Sequence, residues 1–101
     1  MQITVKLQNL KGEKKIFLDD EKRVFTVNGK DKSVDIDKFA SHLLRIVSSW
    51  EEHYENSRII DGLTYSVEIL KDGKTYNFYG KNNFPKNFYQ FSALVGEVLD
   101  D

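Results

Sequence analysis

The sequence contains no cysteine. Disulfide bridges, thiolate metal ligands and cysteine nucleophiles are therefore excluded, and the fold must be stabilised by a packed core. A chain of 101 residues buries enough surface for one modest core and no second one. We therefore expect a single domain that covers residues 1–101.

Charge of one sign and long apolar runs are also scarce. Lys and Arg total 15 against 16 Asp and Glu, so the formal net charge is −1 and no overall field draws the chain onto a polyanion. No apolar stretch approaches membrane-spanning length. The N-terminus lacks the basic segment and apolar run of a signal peptide. These observations predict a cytoplasmic protein with no membrane partner.

The two halves of the chain, about residues 1–55 and 58–101, resemble each other. When Gly29 is aligned with Gly80, the apolar positions of the preceding strand and of the following helix coincide. Each half is therefore predicted to contain strands, a Gly-Lys turn and an amphipathic helix. We interpret this as a ββα pseudo-repeat that is preceded by an N-terminal strand.

Strands are predicted where apolar and polar residues alternate. Ile3, Val5 and Leu7 alternate with polar residues at the N-terminus. Asp72-Gly73 is a strong signal for a hairpin turn, and Gly29 is a position that suits a positive φ. The predicted strands cover residues 2–8, 16–18, 24–27, 63–69 and 75–79.

Two helices are predicted from apolar residues spaced three and four apart. The first runs from about Val34 to Tyr54, with Ser33 or Asp35 as its N-cap. The second has Pro85 at its first position and continues to the C-terminus. The sequence therefore predicts an α+β fold, in which a largely antiparallel five-stranded sheet carries both helices on one face. The predicted element order is strand-strand-strand-helix-strand-strand-helix.

The residues offer little for catalysis or metal binding. On the predicted helix, His42 and His53 are separated by a rise of roughly 16 Å, which is too long for one metal ion. Adjacent serine and histidine side chains on that helix diverge by about 100° and do not face each other. We therefore predict no catalytic residues, no cofactor, no metal and no enzymatic activity.

Three aromatic residues are predicted to contact a partner. Trp50 and Tyr54 end the apolar stripe of the first helix, where a large aromatic is often only partly covered. Tyr89 lies away from the stripe of the second helix, and small residues follow it one and two turns later. We predict that Trp50, Tyr54 and Tyr89 bind an unidentified protein partner, and that the chain is a monomer or a homodimer.

Two other functions remain open. Lysines near the predicted turns could form a basic rim beside aromatic residues, as in sheets that bind single-stranded nucleic acid weakly, although acidic residues occupy the same turns. Alternatively, the loop Gly80–Lys86 could bind a small anion at a helix N-terminus as part of an enzyme. The lysines of the nucleic-acid alternative are Lys11, Lys14, Lys15, Lys74 and Lys81.

The segment from Asp61-Gly62 through Tyr65, together with the loop Gly80–Phe88, resembles a pattern in small uncharacterised bacterial and phage-borne domains. Those domains contain a "DG-x-x-Y" strand, a hairpin and a "G-x-N-x-x-P-x-N-F" loop before a closing helix. The resemblance covers about the last 40 residues and implies no activity. With the small size of the chain, it suggests a regulator, an immunity-type protein or a mobile-element inhibitor. The preferred function is thus a non-enzymatic protein-interaction module.

Overall fold

A computed structural model of the chain describes residues 1–55 and 62–99. Within these ranges the chain forms one sheet of seven strands and two helices. The α+β class is confirmed, whereas the predicted number of five strands is wrong. The elements are β1 (Gln2–Asn9), β2 (Gly12–Asp19), β3 (Val24–Val27), β4 (Lys30–Asp31), α1 (Ile36–Val47), β5 (His53–Glu55), β6 (Thr64–Lys71), β7 (Lys74–Lys81) and α2 (Phe88–Leu99).

The strands lie in the order β4-β3-β2-β1-β6-β7-β5 across the sheet. Every neighbouring pair is antiparallel except β5 and β7, which run parallel. The hairpin between β6 and β7 turns at Asp72 and Gly73, whose φ angles of 54° and 74° suit a tight two-residue turn. Gly29 has a φ of 82° between β3 and β4. These two turn predictions are confirmed, whereas the Gly-Lys turn predicted for the second half is wrong, because Gly80 and Lys81 lie within β7.

One face of the sheet is covered and the other is open. The buried side chains of β1, β2, β3 and β6 occupy alternate positions and form one cluster with the buried faces of α1 and α2. Both helices therefore pack on the same face, as predicted. The cluster consists of Ile3, Val5, Ile16, Leu18, Phe25, Ile36, Phe39, Ala40, Leu43, Ile46, Val47, Trp50, Tyr65, Val67, Ile69, Phe91, Leu94, Val95 and Val98.

Helix α1 is shorter than the predicted first helix. Asp35 is its N-cap, because the side chain accepts a hydrogen bond from the Lys38 N–H at 3.1 Å. The helix ends at Val47 rather than Tyr54, and the Trp50 N–H donates to the Val47 carbonyl at 3.0 Å. Tyr54 lies in strand β5. The apolar spacing continues past Val47, but packing of the Trp50 ring against other elements turns the chain away from the helix axis.

Helix α2 begins at Phe88, three positions after Pro85. Between them, the Phe88 N–H donates to the Pro85 carbonyl at 3.1 Å and the Gln90 N–H to the Asn87 carbonyl at 3.1 Å. Proline at the first helical position is therefore a wrong prediction, because a turn precedes the helix. Neither helix in the described part of the chain is long and apolar enough to cross a membrane.

The proposed equivalence of Gly29 and Gly80 does not extend to their surroundings. Gly29 occupies an exposed turn, whereas Gly80 is buried within β7. A β-carbon at Gly29 would meet no atom within 4 Å, but one at Gly80 would lie 2.0 Å from Cζ of Tyr65. Gly29 requires glycine because its φ is positive, whereas Gly80 requires glycine because the Tyr65 ring leaves no room for a β-carbon. The pseudo-repeat remains a prediction.

Candidate partner-binding surfaces

Trp50, predicted as a contact residue, is only 7% exposed. Its ring centre lies 5.1 Å from that of Phe91, 5.8 Å from that of Tyr65 and 6.2 Å from that of Phe78, all in edge-on geometry. The indole Nε1–H donates to Oδ1 of Asn87 at 2.6 Å. The polar end of this large side chain is therefore satisfied within the fold, and Trp50 belongs to the core.

Residues of the DG-x-x-Y strand and of the loop before α2 have structural roles. Besides the bond to Trp50, Asn87 donates from Nδ2 to the Ile46 carbonyl near the end of α1 at 2.9 Å. The Tyr65 hydroxyl donates to the Asn83 carbonyl at 2.6 Å. The sequence analysis did not predict this structural role of Asn87, although Asn87 is part of the P-x-N-F motif quoted there. Asp61, the first residue of the pattern, lies outside the described residues.

The environment of Tyr65 perturbs its ionisation. The side chain is almost fully buried, and this burial, with a smaller effect of Tyr54, raises the pKa of Tyr65 far above the ordinary value of a tyrosine. Burial disfavours the phenolate because the charged form loses its hydration. Since the hydroxyl donates to a carbonyl inside the fold, the group has a structural role rather than an acid–base one.

Tyr54 and Phe84 flank a depression of about 430 Å³, which we call the aromatic depression. Phe84 is 44% exposed, and its ring is stacked on Tyr65 with centres 5.6 Å apart. Tyr54 is half-buried, and its hydroxyl oxygen accepts the Glu51 N–H at 2.9 Å. The aromatic depression is lined by Ser49, Glu51, Tyr54, Phe84, Pro85, Lys86 and Asn87.

Tyr89, the third predicted contact residue, is 70% exposed on the first turn of α2. It is not among the residues that line the aromatic depression. Ala93 is exposed and Gly96 is half-buried on the same helix. The structure therefore brings Tyr54 to a concave surface, leaves Tyr89 on the exposed face of α2 and buries Trp50.

The five predicted lysines are divided between the two ends of the sheet. Lys11, Lys14 and Lys15 lie in or beside the β1–β2 turn, and the register across β1 and β6 brings the end of β7, at Lys81, to the same end. Lys74 begins β7 at the opposite end. All five are exposed, but they do not form one continuous basic rim.

The open face of the sheet carries a second shallow surface, which we call the open-face depression. Lys6 and Lys15 are cross-strand neighbours there, and the rings of His53 and Tyr79 are stacked with centres 5.2 Å apart. Glu68 also lines this surface and offsets part of its positive charge. The depression of about 430 Å³ is lined by Thr4, Lys6, Lys15, Ser66, Val67, Glu68, Asn77, Phe78 and Tyr79.

The described residues contain no group of three or more metal-ligating side chains close enough to hold an ion. His42 lies on α1, whereas His53 lies on β5. In the Gly80–Lys86 loop, the Asn82 N–H donates to the Leu63 carbonyl at 3.0 Å. Because α2 begins at Phe88, this loop lies before the helix rather than in its first turn.

A buried carboxylate lies at the end of β2. Asp19 accepts the backbone N–H of Glu21 at 3.0 Å and of Lys22 at 3.1 Å, and the side-chain amide of Gln2 at 3.2 Å. These bonds, led by the one from Lys22, hold the pKa of Asp19 below its usual range. They favour the charged form of the carboxylate. Because two of the donors are backbone groups of the β2–β3 turn, Asp19 organises that turn.

Comparison of the whole chain with known proteins finds no matching family, curated protein or solved structure.

Proposed function

We propose that this protein is a non-enzymatic protein-interaction module and that the aromatic depression binds the partner. One observation carries the proposal: Phe84 and Tyr54 remain accessible around a concave surface while the other large aromatics near them are packed. Exposed aromatic side chains beside a concave surface are typical of the anchoring regions of protein interfaces.

The geometry of the aromatic depression favours binding because its walls are already ordered. The Phe84 ring rests on Tyr65, and the Tyr54 hydroxyl is held by the Glu51 backbone. A surface whose side chains are already held in place loses less conformational entropy when a partner binds. Binding at this site therefore requires little rearrangement of the chain.

The lining residues also define the chemistry of the partner. Glu51 and Lys86 provide one negative and one positive side chain beside Tyr54, Phe84 and Pro85. We infer that the partner inserts an apolar or aromatic side chain that is flanked by charges of both signs. The small size and near-neutral charge of the chain support a role as a regulator, an immunity-type protein or a mobile-element inhibitor.

Affinity capture from the lysate of the native host tests this proposal. The tagged wild-type protein, Phe84→Ala and the control Leu10→Ala are compared at low and moderate salt, with and without nuclease. Leu10 is a strongly exposed apolar residue at the β1–β2 turn and does not line the aromatic depression. We expect a stoichiometric protein that survives moderate salt and nuclease with the wild type and Leu10→Ala but is lost with Phe84→Ala. Recovery of no protein, or equal recovery with Phe84→Ala, would contradict the proposal.

A second candidate function is weak binding of single-stranded nucleic acid on the open-face depression. The stacked rings of His53 and Tyr79 near Lys6 and Lys15 favour it, because aromatic faces and lysines together bind unpaired bases and phosphates. Titration of a labelled oligonucleotide should then show affinity that falls steeply with salt. Lys15→Glu should abolish this binding, whereas Lys74→Glu, at the other end of the sheet, should weaken it only slightly.

A further inference from the structure

Strand β7 has a free edge. It pairs with β6 along its whole length, but it pairs with β5 only from Tyr79 to Lys81. Among the described residues, no strand pairs with the other side of β7 from Lys74 to Phe78. Free backbone groups along such an edge are a template for pairing with a further strand.

The hairpin geometry identifies the backbone groups that this edge offers. Lys71 and Lys74 flank a two-residue turn and so form a hydrogen-bonded pair, after which bonded positions alternate along β7. The N–H and carbonyl groups of Thr75 and Asn77 therefore point outward. Tyr79, two positions after Asn77, follows the same alternation, because its N–H points away from β6 and donates to the Glu52 carbonyl at 2.9 Å.

An apolar groove adjoins the same edge on the helix-bearing face. Tyr76 is 47% exposed there, although its register partner Ile69 is buried in the core. Helix α1 thus covers β6 but leaves the neighbouring part of β7 accessible. The groove, of about 320 Å³, is lined by Leu44, Val47, Ser48, Trp50, Ile69, Lys71, Tyr76 and Phe78.

We propose that the β7 edges of two copies of this chain pair antiparallel about a two-fold axis and form a homodimer. In this arrangement Tyr76 lies opposite Tyr76 of the second copy, and Thr75 lies opposite Asn77. The Thr75–Asn77 pairs exchange the outward backbone hydrogen bonds. The two sheets become continuous, and the two Tyr76 rings cover each other and the apolar groove.

The length of the free edge selects this register. The edge is limited at one end by the tight turn before Lys74 and at the other by β5, which begins to pair at Tyr79. When the two-fold axis passes beside Tyr76, Lys74 lies opposite Phe78 of the second copy. The whole free edge is then paired, and the hairpin turn of each copy, at Gly73, meets the start of β5 of the other copy, at His53.

Side chains of opposite charge lie at the two ends of the edge. Lys71 and Lys74 flank the hairpin turn at one end, where Asp72 and the acidic side chains of the β2–β3 turn offset part of their charge. Glu51 and Glu52 precede β5 at the other end. An antiparallel two-fold arrangement brings the lysines of each copy toward the glutamates of the other. This complementarity favours a second copy over an unrelated strand.

Proline at Thr75 provides the first test. The Thr75 N–H points outward, so Thr75→Pro removes a donor of the free edge without removing a β6–β7 hydrogen bond. Thr75→Ala is the matched control because it keeps the N–H. We expect sedimentation equilibrium to show a dimer for the wild type and Thr75→Ala, and at least about tenfold weaker association for Thr75→Pro. A wild-type monomer at all concentrations, or equal association of Thr75→Pro, would overturn the proposal.

The absence of native cysteine allows a second test that does not depend on proline. Opposed residues of a non-hydrogen-bonded pair have β-carbons about 4.5–5.5 Å apart, close to disulfide geometry. Mild oxidation should therefore link two Tyr76→Cys chains, while the control Asp31→Cys, on the opposite edge strand β4, should remain unlinked. Equal linking of both variants would refute the two-fold register. Phe84→Ala should leave the dimer intact, so failure of the aromatic depression and failure of the dimer are distinguishable.

Discussion

Replacement of Asn87 by alanine should destabilise the protein. The Asn87 side chain accepts from Trp50 Nε1 at 2.6 Å and donates to the Ile46 carbonyl at 2.9 Å. Asn87→Ala leaves both partners unpaired. An unsatisfied buried donor or acceptor costs about 1–3 kcal/mol. Because Asn87 is itself half-buried, water can satisfy part of this loss, and we expect the free energy of unfolding to fall by about 2–4 kcal/mol.

Denaturant unfolding followed by tryptophan fluorescence measures this loss, since Trp50 is the single tryptophan of the chain. Asn83→Ala is the matched control, because within residues 1–55 and 62–99 the Asn83 side chain makes only a 3.4 Å bond to the Glu55 carbonyl, in an exposed loop. The control should lose less than about 0.5 kcal/mol. A loss below about 1 kcal/mol for Asn87→Ala would refute the argument that this side chain joins α1, Trp50 and α2.

Three further predictions concern packing and pH. Gly80→Ala should lower the free energy of unfolding by about 1–3 kcal/mol or more, because the added β-carbon would collide with the Tyr65 ring. Thermal unfolding would measure this loss, and an unchanged midpoint would contradict the prediction. The raised pKa of Tyr65 means that the unfolded chain releases this proton first, so stability should fall as pH rises above about 10, and Tyr65→Phe should reduce that slope. The pKa of Asp19 is lowered in the fold, so its contribution should be present above pH about 4 and lost as pH falls below it; Asp19→Asn should flatten the acid limb of a stability–pH curve.

Local signals were sufficient for much of the fold. Alternation along β1 and β6 and the Asp72-Gly73 turn depend on neighbouring residues and were predicted, and Asp35 was one of the two predicted N-cap candidates. Strands β4 and β5 were missed because they are short and form only where β3 and β7 offer an edge. The end of α1 was missed because the apolar spacing through Trp50 suits a helix as well as a turn back into the core.

Some features of the candidate surfaces also follow from local sequence, whereas others depend on tertiary contacts. Tyr89 is exposed where helical periodicity predicted, because its direction follows from its position on α2. Burial of Trp50 depends on Asn87, which is distant in sequence, and the aromatic depression depends on the approach of the Phe84 loop to β5. Neither arrangement is visible in local spacing.

The amino-acid sequence by itself determined the fold class, the single core and the absence of thiol chemistry, since composition and periodicity act locally along the chain. Tertiary packing decided which aromatics are accessible and which edge of the sheet is free. These features depend on contacts between residues that are far apart in sequence. Such residues come together only when the whole core packs. The free edge of β7 arises where that packing leaves backbone groups without a pairing strand among the described residues, and the aromatic depression arises where it leaves the Phe84 ring partly exposed.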